Sequence, residues 1–119
     1  MRKLLIGAGL LLAATGANAA DCYDLTITDS ASKVPGQSEW SRHTQPEAMK
    51  LCNVSDDKAI LTVLSNDVSL PAYRNAPGVY TLQMNGATLS FTLRPDGTLL
   101  HTQSNMMTGW VAAATGVWK

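Results

Sequence analysis

The sequence predicts a small α+β protein, mainly β, in which one short N-terminal helix precedes a C-terminal antiparallel β-meander and one disulfide staples the two parts. Three observations predict it. Asn85-Gly86 separates two segments of alternating hydrophobicity, the strongest short-range signal for a β-hairpin. Thr44 and Glu47 have the spacing of a helix capping box. Cys22 and Cys52 are the only two cysteines, and they lie in the predicted first strand and helix.

The first nineteen residues have the pattern of an export signal. A basic start is followed by an apolar run from Leu4 to Ala14 and by Ala17-Asn18-Ala19, a cleavage-site pattern. The run of about eleven residues is too short to cross a bilayer about 30 Å thick as a helix. We therefore expect residues 1–19 to be a signal peptide, residues 20–119 to be a single small secreted domain, and the protein to be periplasmic or secreted.

The N-terminal half of this domain contains the less regular elements. Residues Cys22 to Thr28 alternate between apolar and polar side chains, which predicts a half-buried strand. A segment rich in Ser, Gly and Pro follows, from Asp29 to Ser38, and indicates a loop. The capping box then predicts a helix over Gln45–Cys52, with Ala48 and Met49 on the same face as Cys52. Two helical turns are marginal alone, so the disulfide would have to hold them.

The C-terminal half is predicted to be almost entirely β. The apolar segment Ala59–Leu64 indicates a central strand covered on both faces, and Ser65–Pro77 indicates a loop. The meander follows, with strands at Val79–Met84, Ala87–Arg94, Thr98–Gln103 and Gly109–Trp118. The alanine run within the last segment would also suit a short helix.

A disulfide between Cys22 and Cys52 is expected in an oxidising compartment, because no C-x-x-C motif suggests redox or metal chemistry. It would close a loop of about 30 residues and restrict the unfolded chain by about 3.5–4 kcal/mol in the chain-entropy model. A domain of this size has only about 5–10 kcal/mol of net stability, so the bridge is expected to be structural.

Composition and motifs argue against catalysis and against nucleic-acid binding. Nine basic residues balance nine acidic ones, and loss of Arg2 and Lys3 with the signal leaves seven against nine, a net charge near −2. No basic patch is available for nucleic acid, and no membrane association is expected once the signal is removed. The common nucleophile, metalloprotease, P-loop and dinucleotide motifs are absent, so no catalytic residue and no cofactor are predicted.

We expect the protein to bind another macromolecule, most simply a protein. Tyr73, Arg74 and Asn75 lie between two prolines in the predicted loop, and tyrosine and arginine are frequent interface hot spots. Trp40 and Arg42 form a competing patch. A small exported β-meander with one disulfide resembles several kinds of periplasmic protein, including hydrolase inhibitors and toxin-immunity proteins, which suggests a role of inhibitor or immunity type.

The alternative is a small-ligand or Cu(I)-binding periplasmic protein. His101, Met106 and Met107 could surround one loop, and thioether and imidazole groups suit Cu(I). The sequence favours an ordinary strand position for His101, at a sheet edge or on the solvent face. His43 is expected in a loop beside the helix start. No metal site is therefore predicted.

Overall fold

A computed structural model describes residues 21–119 of the chain, and these residues form nine β-strands without a helix. No helix long and apolar enough to cross a bilayer occurs within that range. The predicted signal peptide and the predicted cleavage before Ala20 lie outside the described residues. The strands are β1 (Cys22–Lys33), β2 (Ser41–His43), β3 (Glu47–Asn53), β4 (Lys58–Val63), β5 (Val68–Ala76), β6 (Val79–Met84), β7 (Ala87–Leu93), β8 (Thr98–Asn105) and β9 (Val111–Trp118).

Eight of the strands close into an antiparallel barrel, and β2 is an additional strand. The order is β2-β1-β3-β4-β5-β6-β7-β8-β9, and β9 pairs back onto β1. The predicted α+β class is therefore wrong, because residues 21–119 form strands joined by turns and loops and contain no helix. The antiparallel meander is confirmed and continues through the N-terminal half as well. Closure of the sheet removes most of the unpaired edges that an open sheet would expose.

The predicted helix over Gln45–Cys52 is strand β3. Its side chains follow a period of two, with Met49 and Leu51 buried and Lys50 exposed. In this conformation β3 hydrogen-bonds to β1 on one side and to β4 on the other. Hydrogen bonding to strands on both sides outweighs the local preference for a helix of only two turns. The residues of the capping box are also compatible with an extended chain.

The predicted loop Ser65–Pro77 is also wrong over most of its length, because Val68–Ala76 forms β5. Pairing with β6 begins only at Tyr73, whereas Pro71 is opposite Ile60 of β4. Proline therefore lies where β5 has a partner on one side only, a position that tolerates the missing N–H. The neighbouring β4 is covered on one face, not two, since Ile60 is 42% exposed.

The predicted hairpin is confirmed. Asn85 has φ 50° and Gly86 has φ 82°, the two positive values that a type I′ turn requires. The strands on either side pair from Val79 with Thr92 to Met84 with Ala87. The alanine run near the C-terminus is strand β9, not a helix.

Side chains fill the centre of the barrel. Those most completely buried are Leu25, Leu51, Leu61, Tyr80, Leu82, Phe91 and Leu99. We call the end where β1 begins and β9 finishes, near Cys22 and Trp118, the terminal end. The opposite end, with the Asn85-Gly86 turn, is the hairpin end. The packed centre separates the spaces found at these two ends.

Candidate functional site

The structure separates the residues that the sequence grouped into one binding loop. Tyr73 is 58% exposed on the outside of the barrel. Arg74 is half-buried and follows the inward alternation of Ala72. Asn75 is exposed, and its Oδ1 accepts a hydrogen bond of 2.8 Å from the Thr81 hydroxyl. Tyr73 and Arg74 thus lie at the same end of the barrel but on opposite faces of β5.

Trp40 and Arg42 lie towards the hairpin end. Arg42 is opposite Ala31, eight residues along β1 from Tyr23, or about 25 Å at the usual rise per strand residue. Its guanidinium forms a two-pronged hydrogen bond with Asp29, at 3.1 and 2.6 Å. This bond lowers the pKa of the Asp29 carboxyl. Arg42 therefore already has a counter-charge, and the two predicted patches do not form one surface.

A pocket of about 370 Å³ opens at the terminal end, a volume within the usual range of ligand sites. We call it the aromatic end pocket. Its wall combines aromatic and aliphatic side chains with one guanidinium. The residues that line it are Tyr23, Arg74, Pro77, Gly78, Tyr80, Leu93, Pro95 and Trp118.

Contacts with neighbouring groups hold the aromatic walls in place. The Tyr23 and Trp118 rings meet edge to face, with centroids 5.5 Å apart. The Trp118 indole Nε1–H donates to the Arg94 carbonyl oxygen at 2.7 Å, and the Tyr80 hydroxyl donates to Asn53 Oδ1 at 2.8 Å. Burial raises the pKa of Tyr80 above its ordinary value, so the phenol stays protonated and keeps this bond.

Among the described residues, Arg74 is the only charged group that lines this pocket, and its hydrogen bonds are incomplete. One Nη1–H donates to the Asp56 carbonyl oxygen at 3.3 Å. The Nε–H is buried and has no acceptor. Among the ion pairs within residues 21–119, none involves Arg74. A half-buried guanidinium without a carboxylate partner is costly unless another anion or solvent compensates it.

The disulfide predicted from the sequence is confirmed and lies beside the pocket. Cys22 and Cys52 are directly opposite on β1 and β3, with Cα atoms 4.0 Å apart. Cys22 directly precedes Tyr23, which lines the pocket. Cys52 directly precedes Asn53, which accepts the hydrogen bond from the Tyr80 hydroxyl. The cross-link therefore fixes the two strands at the point where they position the aromatic wall.

The hairpin end holds a smaller and more polar cavity of about 160 Å³, which His101 and Glu47 line. His101 is only 8% exposed and stacks on Phe91 with centroids 4.3 Å apart. The expectation that it lies at a sheet edge or on the solvent face is wrong. Its Nδ1 is 2.8 Å from the Ser90 carbonyl oxygen, which can only accept, so Nδ1 carries the proton. Burial lowers the pKa of the imidazole.

The structure does not bring the proposed Cu(I) ligands together. Met106 and Met107 are 87% and 83% exposed on the turn between β8 and β9, whereas the His101 imidazole lies inside the barrel. Within residues 21–119 no cluster of three or more His, Cys, Asp or Glu side chains could hold a metal ion. His43 ends strand β2 and lines the polar cavity, not the start of a helix.

Comparisons with protein-family models, curated proteins and solved structures found no match for the chain. Function is therefore inferred from the chemistry of the aromatic end pocket. Arg74, which the sequence analysis selected as a candidate binding residue, lines this pocket, whereas the three aromatic residues around it were not selected. Tyr23 and Tyr80 lie in segments of alternating hydrophobicity, yet nothing local indicates that barrel closure brings them together with Trp118.

Proposed function

We propose that the protein is a non-catalytic, exported binding protein whose terminal end holds part of another protein. The observation that carries this proposal is the aromatic end pocket, whose Arg74 guanidinium has no carboxylate partner among the described residues. Tyrosine, tryptophan and arginine in a partly desolvated pocket are the residue types and the environment of interface hot spots. An inhibitor or immunity role would use such a rigid end to block or cover its partner.

Two further observations support the proposal: one favours binding over catalysis, and the other favours an oxidising compartment outside the cytoplasm. The pocket-lining groups include no histidine or carboxylate to act as a general base at neutral pH. The disulfide beside the pocket is of the kind that persists in oxidising compartments. Tyr73 is exposed on the outer face of β5 at the same end of the barrel, where a partner that covers this end would reach it.

Site-specific photocrosslinking tests the proposal with a matched pair of positions. Tyr73 and Trp40 are similarly exposed aromatics, at 58% and 51%, towards opposite ends of the barrel. Each is replaced in turn by p-benzoylphenylalanine, and the oxidised protein is irradiated in an extract of the exported proteins of its source cells. We expect one discrete adduct from position 73, lost when Arg74→Gln is added, and none from position 40.

Two results would contradict this assignment. An adduct from position 40 alone would move the binding surface to the hairpin end. A position-73 adduct that is indifferent to Arg74→Gln would separate partner binding from the pocket. Thermal unfolding of each variant shows whether the fold is intact before the comparison is made.

A further inference from the structure

The chemistry of the aromatic end pocket identifies the part of a partner that it would hold. This inference rests on the proposed function, because it takes the partner to be a protein. The pocket offers one positive charge, contributed by Arg74, in a wall that is otherwise mainly apolar. A complementary ligand would carry one negative charge directly attached to an apolar group.

Arg74 favours a carboxylate as that charge. A guanidinium presents planar, paired N–H groups that match the two oxygens of a carboxylate. Among the described residues the guanidinium bonds only to the Asp56 carbonyl oxygen, through Nη1, and no carboxylate pairs with it. Arg94, on the turn at the same end, is 3.9 Å from its own carboxylate partner, Asp96. One arginine without a carboxylate partner balances the single negative charge of a carboxylate, but only half of the charge of a doubly charged phosphate.

The surrounding wall indicates what the carboxylate is attached to. Tyr23 and Trp118 present ring faces and edges, and Leu93 with two prolines completes an apolar surface. The last residue of a polypeptide has its carboxylate and its side chain on the same Cα, so both fit within about 370 Å³. An internal Asp or Glu would also have to lead the chain out of the pocket again.

The geometry points to a specific ligand class: the free carboxyl terminus of a polypeptide that ends in an aromatic or branched aliphatic residue. The carboxylate accepts hydrogen bonds from Arg74, and the terminal side chain packs against Tyr23 and Trp118. Tyr80, whose hydroxyl donates to Asn53, also lines this pocket.

Calorimetry with defined probes tests this inference on the oxidised protein. The probes are N-acetyl-trialanyl-phenylalanine as the free acid, the same peptide as its C-terminal amide, and 3-phenylpropionate. We expect the peptide acid to bind at least about tenfold more tightly than the amide, because the amide loses the charge-assisted hydrogen bonds. The peptide acid should also bind more tightly than the small acid.

Three substitutions locate the effect. Arg74→Gln should weaken binding of the peptide acid at least about tenfold, and Arg74→Lys should restore part of it because the charge returns without the planar fork. Arg94→Gln, which removes an arginine at the same end but outside the pocket lining, should change the affinity less than about twofold. Near-ultraviolet circular dichroism, which reports the Tyr23–Trp118 packing, checks that each variant retains the pocket.

Each remaining outcome overturns the inference in a distinguishable way. Equal binding of acid and amide removes the carboxylate requirement. Equal binding of 3-phenylpropionate and the peptide acid replaces a chain terminus with a small free acid. If no probe binds while position 73 still gives an Arg74-dependent adduct, the ligand class is wrong and the proposed function stands. If no probe binds and position 73 gives no Arg74-dependent adduct, both the ligand class and the proposed function are wrong.

Discussion

At His101, burial and hydrogen bonding act in opposite directions on one imidazole. Burial lowers its pKa from the ordinary value of 6.5 and is the largest effect, whereas the bond to the Ser90 carbonyl and the charge of Glu47 raise it. The net result is a neutral ring that stacks on Phe91. Leu99, on the same face of β8, is fully buried as well, so this face points into the barrel and not to solvent as the sequence had led us to expect.

This buried imidazole predicts a pH-dependent stability. The folded pKa lies below the unfolded one, so the unfolded chain binds more protons as the pH falls through about 6.5. The free energy of unfolding should therefore decrease from pH 7.5 to pH 5. His101→Gln should flatten this dependence, and His43→Gln should leave it in place. Urea titrations at each pH measure the free energy of unfolding. The same change of this free energy with pH in wild type and in His101→Gln would contradict the account.

At the scale of the element, local signals were sufficient where the structure itself is local. The β6–β7 hairpin could be predicted because a two-residue turn and adjacent alternation specify it. The conformation of β3 could not be predicted, because its hydrogen bonds go to β1 and β4 and depend on how the sheet assembles. A capping box carries no information about these partners. The same limit applies to β5, in which Pro71 is tolerated only because β6 does not pair there.

Closure between β1 and β9 depends on one close approach. The register between these strands shifts at Thr28, and Gly116 is opposite Ile27 just before the shift. A Cβ on Gly116 would come 1.9 Å from the Thr26 carbonyl oxygen, so no side chain fits without moving the backbone.

Gly116→Ala should therefore lower the free energy of unfolding by at least about 2 kcal/mol, because overpacking against backbone cannot relax cheaply. Ala113→Val, which adds methyl groups to the exposed face of the same strand, is the control and should cost little. Denaturant midpoints of the two variants give the comparison. An unchanged midpoint for Gly116→Ala would mean that β1 and β9 do not meet at this register.

For the whole molecule, closure creates the candidate site. Tyr23 and Trp118 are 95 positions apart (118 − 23), and Tyr80 comes from the middle of the chain, yet all three line one pocket. Arg74 could be selected as a candidate from its residue type and its position between two prolines. It could not identify the aromatic wall, because that wall exists only when the first strand pairs with the last. Trp40 and Arg42 had the same residue types but lie elsewhere, with Arg42 already paired to Asp29.

The three tryptophans allow the central claim, that ligand binds at the terminal end, to be tested directly. Trp118 lines the aromatic end pocket, Trp110 lines the polar cavity at the other end, and Trp40 is exposed near β2. Each gives one indole signal in a ¹⁵N–¹H spectrum, assignable by Trp→Phe substitution. During titration with the peptide acid, the Trp118 signal should shift in a saturable manner while those of Trp40 and Trp110 stay in place. A shift of Trp40 or Trp110 with an unmoved Trp118 would contradict the account.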